Sequence, residues 1–343
     1  MPILTIAEAL RQAIREEMQR DQRVFCIGED IGIEGGFGGA FTVTLGLSKE
    51  FGHERIIDTP ISEAAIAGIA VGAAIAGMRP IADVQYGDFL FNMMDQLANE
   101  AAKMRYMSGG TISVPMVMRA PVGATGRGSQ HAQNLEGFFT HVPGLKVVCP
   151  ATAYDAKGLL KSAVRDENPV LVFEHKLLYG SKGPRSEKGS VSAAGEVPEE
   201  EYLVPIGKAK ICRPGKDVTI LGNLLMLHRA LAAAEILEEQ GISAEVIDPR
   251  TLVPLDKDLI LSSVRKTGRL VIVEEDNLTN GWGAEVAAVT ADEAFIWLDA
   301  PIKRVAAPDV PPPFAPVLEN EYVPSVQKIV ATVRSLFGTQ VTS

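Results

Sequence analysis

Residues 59–77 leave the chain few ways to fold. After Thr59-Pro60-Ile61-Ser62-Glu63 the run is built almost wholly of Ala, Gly, Ile and Val. A helix that is apolar on every side has no solvent face, so the sequence predicts one buried all round. Its small side chains let neighbouring backbones come close. Glu63 is the one ionisable group in the run, and it sits in the first turn, where the positive end of the helix dipole favours a carboxylate. A charge in so apolar a setting is costly unless a cation or a hydrogen-bond donor meets it. A first-turn Glu is ordinarily a cap. These surroundings point instead to a functional acid.

Composition narrows the class. A chain of 343 residues is about two domains' worth. Its 46% apolar and 22% charged content is that of a soluble globular protein. The net charge of −10, without a basic run, argues against nucleic acid or an anionic membrane as partner. Cys26, Cys149 and Cys212 lie far apart in apolar surroundings, which suits free thiols in a reducing cytoplasm. The chain opens straight into an amphipathic helix with no charged-then-apolar leader, and the Gly68 to Gly77 region is too short and interrupted to span a bilayer. A soluble, cytoplasmic protein is expected.

In chain order, Thr5 with Glu8 carries the signature of a capping box, and Ala9, Leu10, Ala13, Ile14 and Met18 stripe the helix that follows. Residues 23–28 read as a buried strand. The glycine-rich loop 32–39 is longer and looser than a strand–G-x-G-x-x-G–helix dinucleotide fingerprint, and Glu29 and Asp30 stand at its mouth. It reads as a loop at a subunit or substrate edge. Further strands are expected at 55–58, 80–86, 114–119, 145–150 and 169–174. A long helix is expected from about Phe89 to Met107, closed by Gly109-Gly110, and another from the Thr152/Asp155 cap to about Arg165. Apolar strands alternating with helices imply a mainly parallel sheet covered on both faces. Residues 178–204 have no hydrophobic period and read as a linker or surface excursion. A smaller α/β block follows, with strands at 217–221, 243–248 and 269–274, a proline-rich extended tail and a closing amphipathic helix. The expected architecture is therefore two α/β domains with mainly parallel sheets, over 1–180 and 205–343, joined through 181–204.

Of the five histidines, none pairs at the spacing of a helix-borne metal site, and H-E-x-x-H, C-x-x-C and G-x-S-x-G are all absent. His131 stands apart because it lies in the glycine-approached loop Arg127-Gly128-Ser129-Gln130-His131, just beyond a strand's carboxyl end. Open α/β sheets bind ligands at that edge, and histidine titrates near working pH.

The segments Gly28-Glu29-Asp30, Thr59-Pro60-Ile61-Ser62-Glu63, Met94-Asp95-Gln96, Arg105-Tyr106-Met107-Ser108-Gly109-Gly110, Gln130-His131, Asn168-Pro169-Val170 and Asp248-Pro249-Arg250-Thr251 form an ordered set. Together they resemble the beta chain of the thiamine-diphosphate-dependent, decarboxylating component of 2-oxo acid dehydrogenase complexes, nearly end to end. Within that family the chain is similar to the pyruvate and acetoin branches. Glu174-His175-Lys176-Leu177-Leu178-Tyr179-Gly180 looks particularly like acetoin dehydrogenase. The resemblance implies a transketolase-like pyrimidine-binding domain followed by a transketolase C-terminal-like domain. It implies that Glu63 bonds a pyrimidine ring nitrogen of the cofactor and so promotes its activation, that Phe89 packs on the pyrimidine, and that His131 stands at the mouth of the site. By the same matching, Met116, Ala163, Val164, Asp166 and Asn168 fall where family members hold a potassium ion with carbonyl oxygens and one carboxylate.

Single-chain enzymes of this chemistry carry Gly-Asp-Gly and, after a spacer, Asn, to hold magnesium and the diphosphate. Here only Gly87-Asp88 occurs, followed by Phe89. The resemblance therefore implies an alpha2-beta2 heterotetramer in which an alpha subunit holds magnesium and the diphosphate, with a lipoyl acyltransferase core as further partner. Two other functions compete. A transketolase-like two-carbon transfer between sugar phosphates would favour a cluster of Arg and His, whereas His131 stands nearly alone. A non-catalytic scaffold subunit would have no need of an intact Glu63 and His131.

Overall fold

The computed structural model describes residues 1–181 and 187–337. The strands are β1 (Ile3–Leu4), β2 (Val24–Gly28), β3 (Ile56–Asp58), β4 (Arg79–Asp83), β5 (Val117–Val122), β6 (Lys146–Val148), β7 (Val170–His175), β8 (Gly195–Glu196), β9 (Lys210–Arg213), β10 (Val218–Gly222), β11 (Ala244–Asp248), β12 (Thr251–Val253), β13 (Leu270–Asn277) and β14 (Lys303–Ala307). The larger sheet runs β12-β6-β7-β5-β4-β2-β3 and is parallel except for β12 against β6. The smaller runs β14-β13-β10-β11-β9 and is parallel except for β9. Every residue of β2, β5 and β7 is buried, as the continuous apolar runs of a sheet covered on both faces require.

The opening helix Ile6–Arg20 has the capping box, with the Glu8 amide donating to Thr5 Oγ1 and the Thr5 amide donating to Glu8. Its stripe packs on helix Ala153–Arg165, where Thr152 Oγ1 accepts from the Asp155 amide. The stretch read as an excursion is partly anchored. β8 pairs antiparallel with β1, and Ala193, Val197 and Val204 are buried. Its apolar residues are too sparse to show a period, and Val191 and Leu203 stay exposed while these three are buried. β12 also crosses over, leaving the second half of the chain to complete the edge of the larger sheet.

Two helical expectations need correction. The 89–107 stretch is no single α-helix. It winds tightly over Gly87–Met93, loosely over Asp95–Ala101, and becomes α-helical only at Ala102–Met107. Helix Glu63–Ile75 is buried on one side only. Ile66, Ala67, Ala70, Val71 and Ala74 face the sheet and the Gly87–Met93 segment, while Ala64, Ala65, Gly68, Ile69, Gly72 and Ile75 are exposed. Ile69 is 52% exposed. One chain supplies layers enough to cover one face. The second face is just as apolar, and such a surface marks a place where another body sits.

His175, at the end of β7, ties the two sheets together. Its Nδ1 accepts from the Leu177 amide, so the proton lies on Nε2, which reaches Glu275 Oε2 on β13 at 2.9 Å. Gly123 passes over this pair at φ +97°, and a Cβ there would lie 2.1 Å from His175 Nε2. Gly123→Ala should therefore cost about 2–3 kcal/mol, through left-handed strain plus displacement of the histidine. Urea unfolding should show this as a lower midpoint at unchanged slope.

Candidate active site at the carboxyl edge of the larger sheet

Four loops leave the carboxyl ends of neighbouring strands along one edge of the larger sheet. Glu63 follows β3, Phe89 follows β4, His131 follows β5 and Lys176 follows β7. That edge is where open parallel sheets collect ligands.

Glu63 is the first residue of its helix, after a Ser62 that makes no side-chain cap. Its half-buried carboxylate has no hydrogen bond or ion pair to any described residue. Nearby, Thr59 Oγ1 is buried without a partner. Glu29 stands close, and its carboxyl is raised above the ordinary glutamate range by burial first, then by the negative charges of Glu63, Asp30 and Asp83. The Glu63 corner is thus acidic and short of donors.

Phe89 and His131 come together. The His131 ring meets Phe89 edge-on at 5.4 Å between centroids and Tyr86 edge-on at 4.9 Å. Phe89 lies on the Gly87–Met93 segment, which packs against the Glu63 helix. The Lys176 ammonium donates to the His131 carbonyl. Asp88 Oδ1 accepts from Gln133 Nε2 at 2.7 Å, while its Oδ2 is buried and unpartnered. Tyr86, Asp88 and Lys176 have no sequence signal of their own, because only the sheet order puts them beside His131.

Beneath this edge lies an internal ion cluster. The Arg119 guanidinium binds both oxygens of Glu174 and one of Asp83, and Tyr179 donates to Glu174. Burial works against the Arg119 charge, but the two carboxylates outweigh it and hold it above its ordinary value. Asp83 is pushed up to about 6 by burial, against the pull of Arg119.

The residues matched to a potassium site gather around the end of helix Ala153–Arg165. The Asp166 carboxylate accepts from Lys146 and from Asn168, the Val164 and Asp166 carbonyls accept from Arg79, and the Ala163 and Met116 carbonyls accept from the amides of Asp166 and Val170. The oxygens are assembled, with two cationic side chains already beside them.

A cavity of about 890 Å³ lies elsewhere, between Gly137 to His141, Leu252 to Leu255 and the start of helix Trp282–Glu293. At Glu63 the surface is open, with Ile61, Ser62, Ala64 and Ala65 exposed around it. Where the two halves of the chain meet beside that cavity, Glu136 is pushed up to about 8, by burial and then by the charge of Asp276, which burial itself raises to about 6.

Residues 3–182 match the transketolase pyrimidine-binding domain family and 207–329 the transketolase C-terminal domain family. A solved structure described as a split gene transketolase, inactive beta4 tetramer, superposes with a TM-score of 0.77 at 26% identity, covering 97% of this chain and 98% of that one. These define a two-domain, transketolase-type α/β protein. The 2-oxoisovalerate dehydrogenase subunit beta of Bacillus subtilis is 47% identical, over 98% of this chain and 99% of its own. The acetoin:2,6-dichlorophenolindophenol oxidoreductase subunit beta of the same organism is 45% identical over 98% of each. The mitochondrial pyruvate dehydrogenase E1 component subunit beta-2 of Oryza sativa is 47% identical, over 96% of this chain and 85% of its own. The chain belongs to the family of 2-oxo acid dehydrogenase E1 beta subunits. No helix among the described residues is long and apolar enough to cross a membrane.

The buried acids make stability depend on pH with a definite sign. Glu136 and Asp276 hold protons in the folded chain at pH values where the unfolded chain has released them. Their contribution to stability is therefore full below the ordinary carboxyl range and is lost as pH rises through about 6 to 8. Glu136→Gln keeps the Oε1 that accepts from Asn134 and Asn223. It should leave melting temperature unchanged near pH 5 and raise it relative to the parent above pH 8, measured by calorimetry across that range.

Proposed function

We propose that this chain is the beta half of a thiamine-diphosphate-dependent 2-oxo acid dehydrogenase, which oxidatively decarboxylates a 2-oxo acid and reductively acylates a lipoyl group. The observation that carries this reading is an unpaired Glu63 carboxylate heading a helix whose outer face is apolar and uncovered. An acid tied into an internal ion pair would have nothing to offer a cofactor, and a helix covered on both sides would have no room for a partner.

When bound, thiamine diphosphate supplies a carbon nucleophile able to cleave the bond beside a carbonyl. The residues present fit its pyrimidine half. Glu63 would hydrogen-bond a pyrimidine ring nitrogen, accepting from it in the form in which that nitrogen carries a proton, and apolar surroundings strengthen the bond. The half-buried Phe89 ring gives the pyrimidine a face to pack on. His131, at the rim, meets the oxo acid's carboxylate or the incoming lipoyl arm. The diphosphate and its magnesium belong to an alpha subunit seated on the exposed stripe of Ala64, Ala65, Gly68, Ile69, Gly72 and Ile75, giving an alpha2-beta2 tetramer that a lipoyl acyltransferase core then engages.

Pyruvate is the proposed substrate. The resemblance of residues 174–180 to acetoin dehydrogenase supports cleavage of acetoin as a second reading. Relatives named for three substrates lie within a few per cent identity of one another, and one methylene in a pocket is worth only about 1–3 kcal/mol.

Expressed alone, the chain should neither turn over pyruvate nor bind thiamine diphosphate tightly in the presence of magnesium. Reconstituted with its alpha subunit, Glu63→Gln should lower turnover on the order of 100-fold or more while the tetramer elutes unchanged on a sizing column. Full activity in that variant would favour the scaffold instead. We also propose potassium at the oxygens around Asp166, using lone pairs that their present hydrogen bonds leave free. Melting temperature should then be higher in potassium chloride than in choline chloride at equal ionic strength, and equal values would remove the ion.

A further inference from the structure

Lys176 is a buried cation that the proposed chemistry leaves unused. Only 1% of its surface is exposed. Its ammonium lies 5.1 Å from the centroid of the Tyr86 ring, the same ring that the His131 imidazole meets edge-on. Among the described residues its hydrogen-bond acceptor is the His131 carbonyl, and no other side chain hydrogen-bonds to His131. Charged groups surround it from several elements. Asp88, Glu275 and Glu187 attract the ammonium and Arg127 repels it.

We propose that Lys176 is a positioning residue, which fixes the backbone of the loop that carries His131 and so sets where the imidazole stands at the mouth of the site. The proposal rests on the reading of His131 given above. The rest of the loop is held by Asp88, which accepts from Gln133, by Glu187, which accepts from Arg127, and by the proline-rich tail. Ser129 Oγ donates to the Pro312 carbonyl at 2.8 Å, and the Gly126 amide donates to Glu319 Oε1 at 2.7 Å. Those bonds locate the loop's outer rim. Lys176 reaches His131 itself.

Energetics separate this role from a structural one. Burial, outweighing the nearby carboxylates, lowers the ammonium to about 8. The fold as a whole thus disfavours this charge, and a methionine of similar length would fill the space without it. Below about pH 8 the folded chain carries the disfavoured charge. As pH rises from there towards the ordinary lysine range, the folded chain sheds the proton before the unfolded chain does, and stability rises. A residue kept for stability would not behave in this way.

The test compares Lys176→Met, His131→Ala and the double variant in the reconstituted tetramer. Lys176→Met should melt at the parent temperature or above at pH 7, yet lose roughly tenfold in kcat/KM for pyruvate, the scale expected when a reacting group is misplaced. The double variant should be no worse than His131→Ala, because both changes act through one group. The alkaline limb near pH 8 in the kcat/KM profile should vanish with Lys176→Met. In the beta chain alone, the His131 Cε1 proton resonance should follow a titration near pH 8 that Lys176→Met removes. Unchanged kinetics and resonance, additive losses, or a lower melting temperature in Lys176→Met would each overturn the proposal. A parent tetramer inactive on pyruvate would instead defeat the functional reading, leaving the resonance to decide the role of Lys176.

Discussion

An acid without a partner at the head of an apolar helix governs the arrangement. Everything near Glu63 keeps cations away from it. Arg119 is spent beneath the sheet on Glu174 and Asp83, and Arg79 is spent on carbonyls and Glu167 at the amino end of the strands. Among the described residues the charged neighbour that acts on Glu63 is another acid, Glu29. A carboxylate so placed suits the proposed role of meeting a donor brought from outside, and the helix dipole behind it makes the vacancy tolerable.

The same economy explains the uncovered stripe beside it. A soluble monomer has no reason to hold Ile69, Ile75 and a row of Ala and Gly against water. A cavity of about 890 Å³ lies instead between residues of the two halves, and neither Glu63 nor His131 lines it. The open surface at Glu63 is better understood as half of a cleft than as a failed pocket.

His131 shows how the two halves of the chain cooperate at the other end of the edge. Its ring is framed by Tyr86 and Phe89 from β4's loop, its carbonyl is met by Lys176 after β7, and its loop is backed by Pro312 and Glu319 from the tail. These contributors are spread from position 86 to position 319 of the sequence. The His175–Glu275 pair, closing beneath Gly123, keeps the two sheets in register so that the contributors meet.

Much of this was legible in residue order alone. Buried strands announce themselves as unbroken apolar runs, caps as Thr5/Glu8 and Thr152/Asp155, and Glu63 as a charge where none should be cheap, because each signal is local and each energy is decided within a few residues. The one-sided burial of helix Glu63–Ile75 and the broken winding of 87–107 were not legible, since both depend on what the rest of the chain can reach. Nor were Tyr86, Asp88 and Lys176, which acquire meaning only from the order β7-β5-β4-β2-β3. Sequence by itself determined which segments must leave water and which acid stands out. Tertiary structure decided which of them meet, because strand order is a choice among long-range pairings that no short stretch of chain encodes.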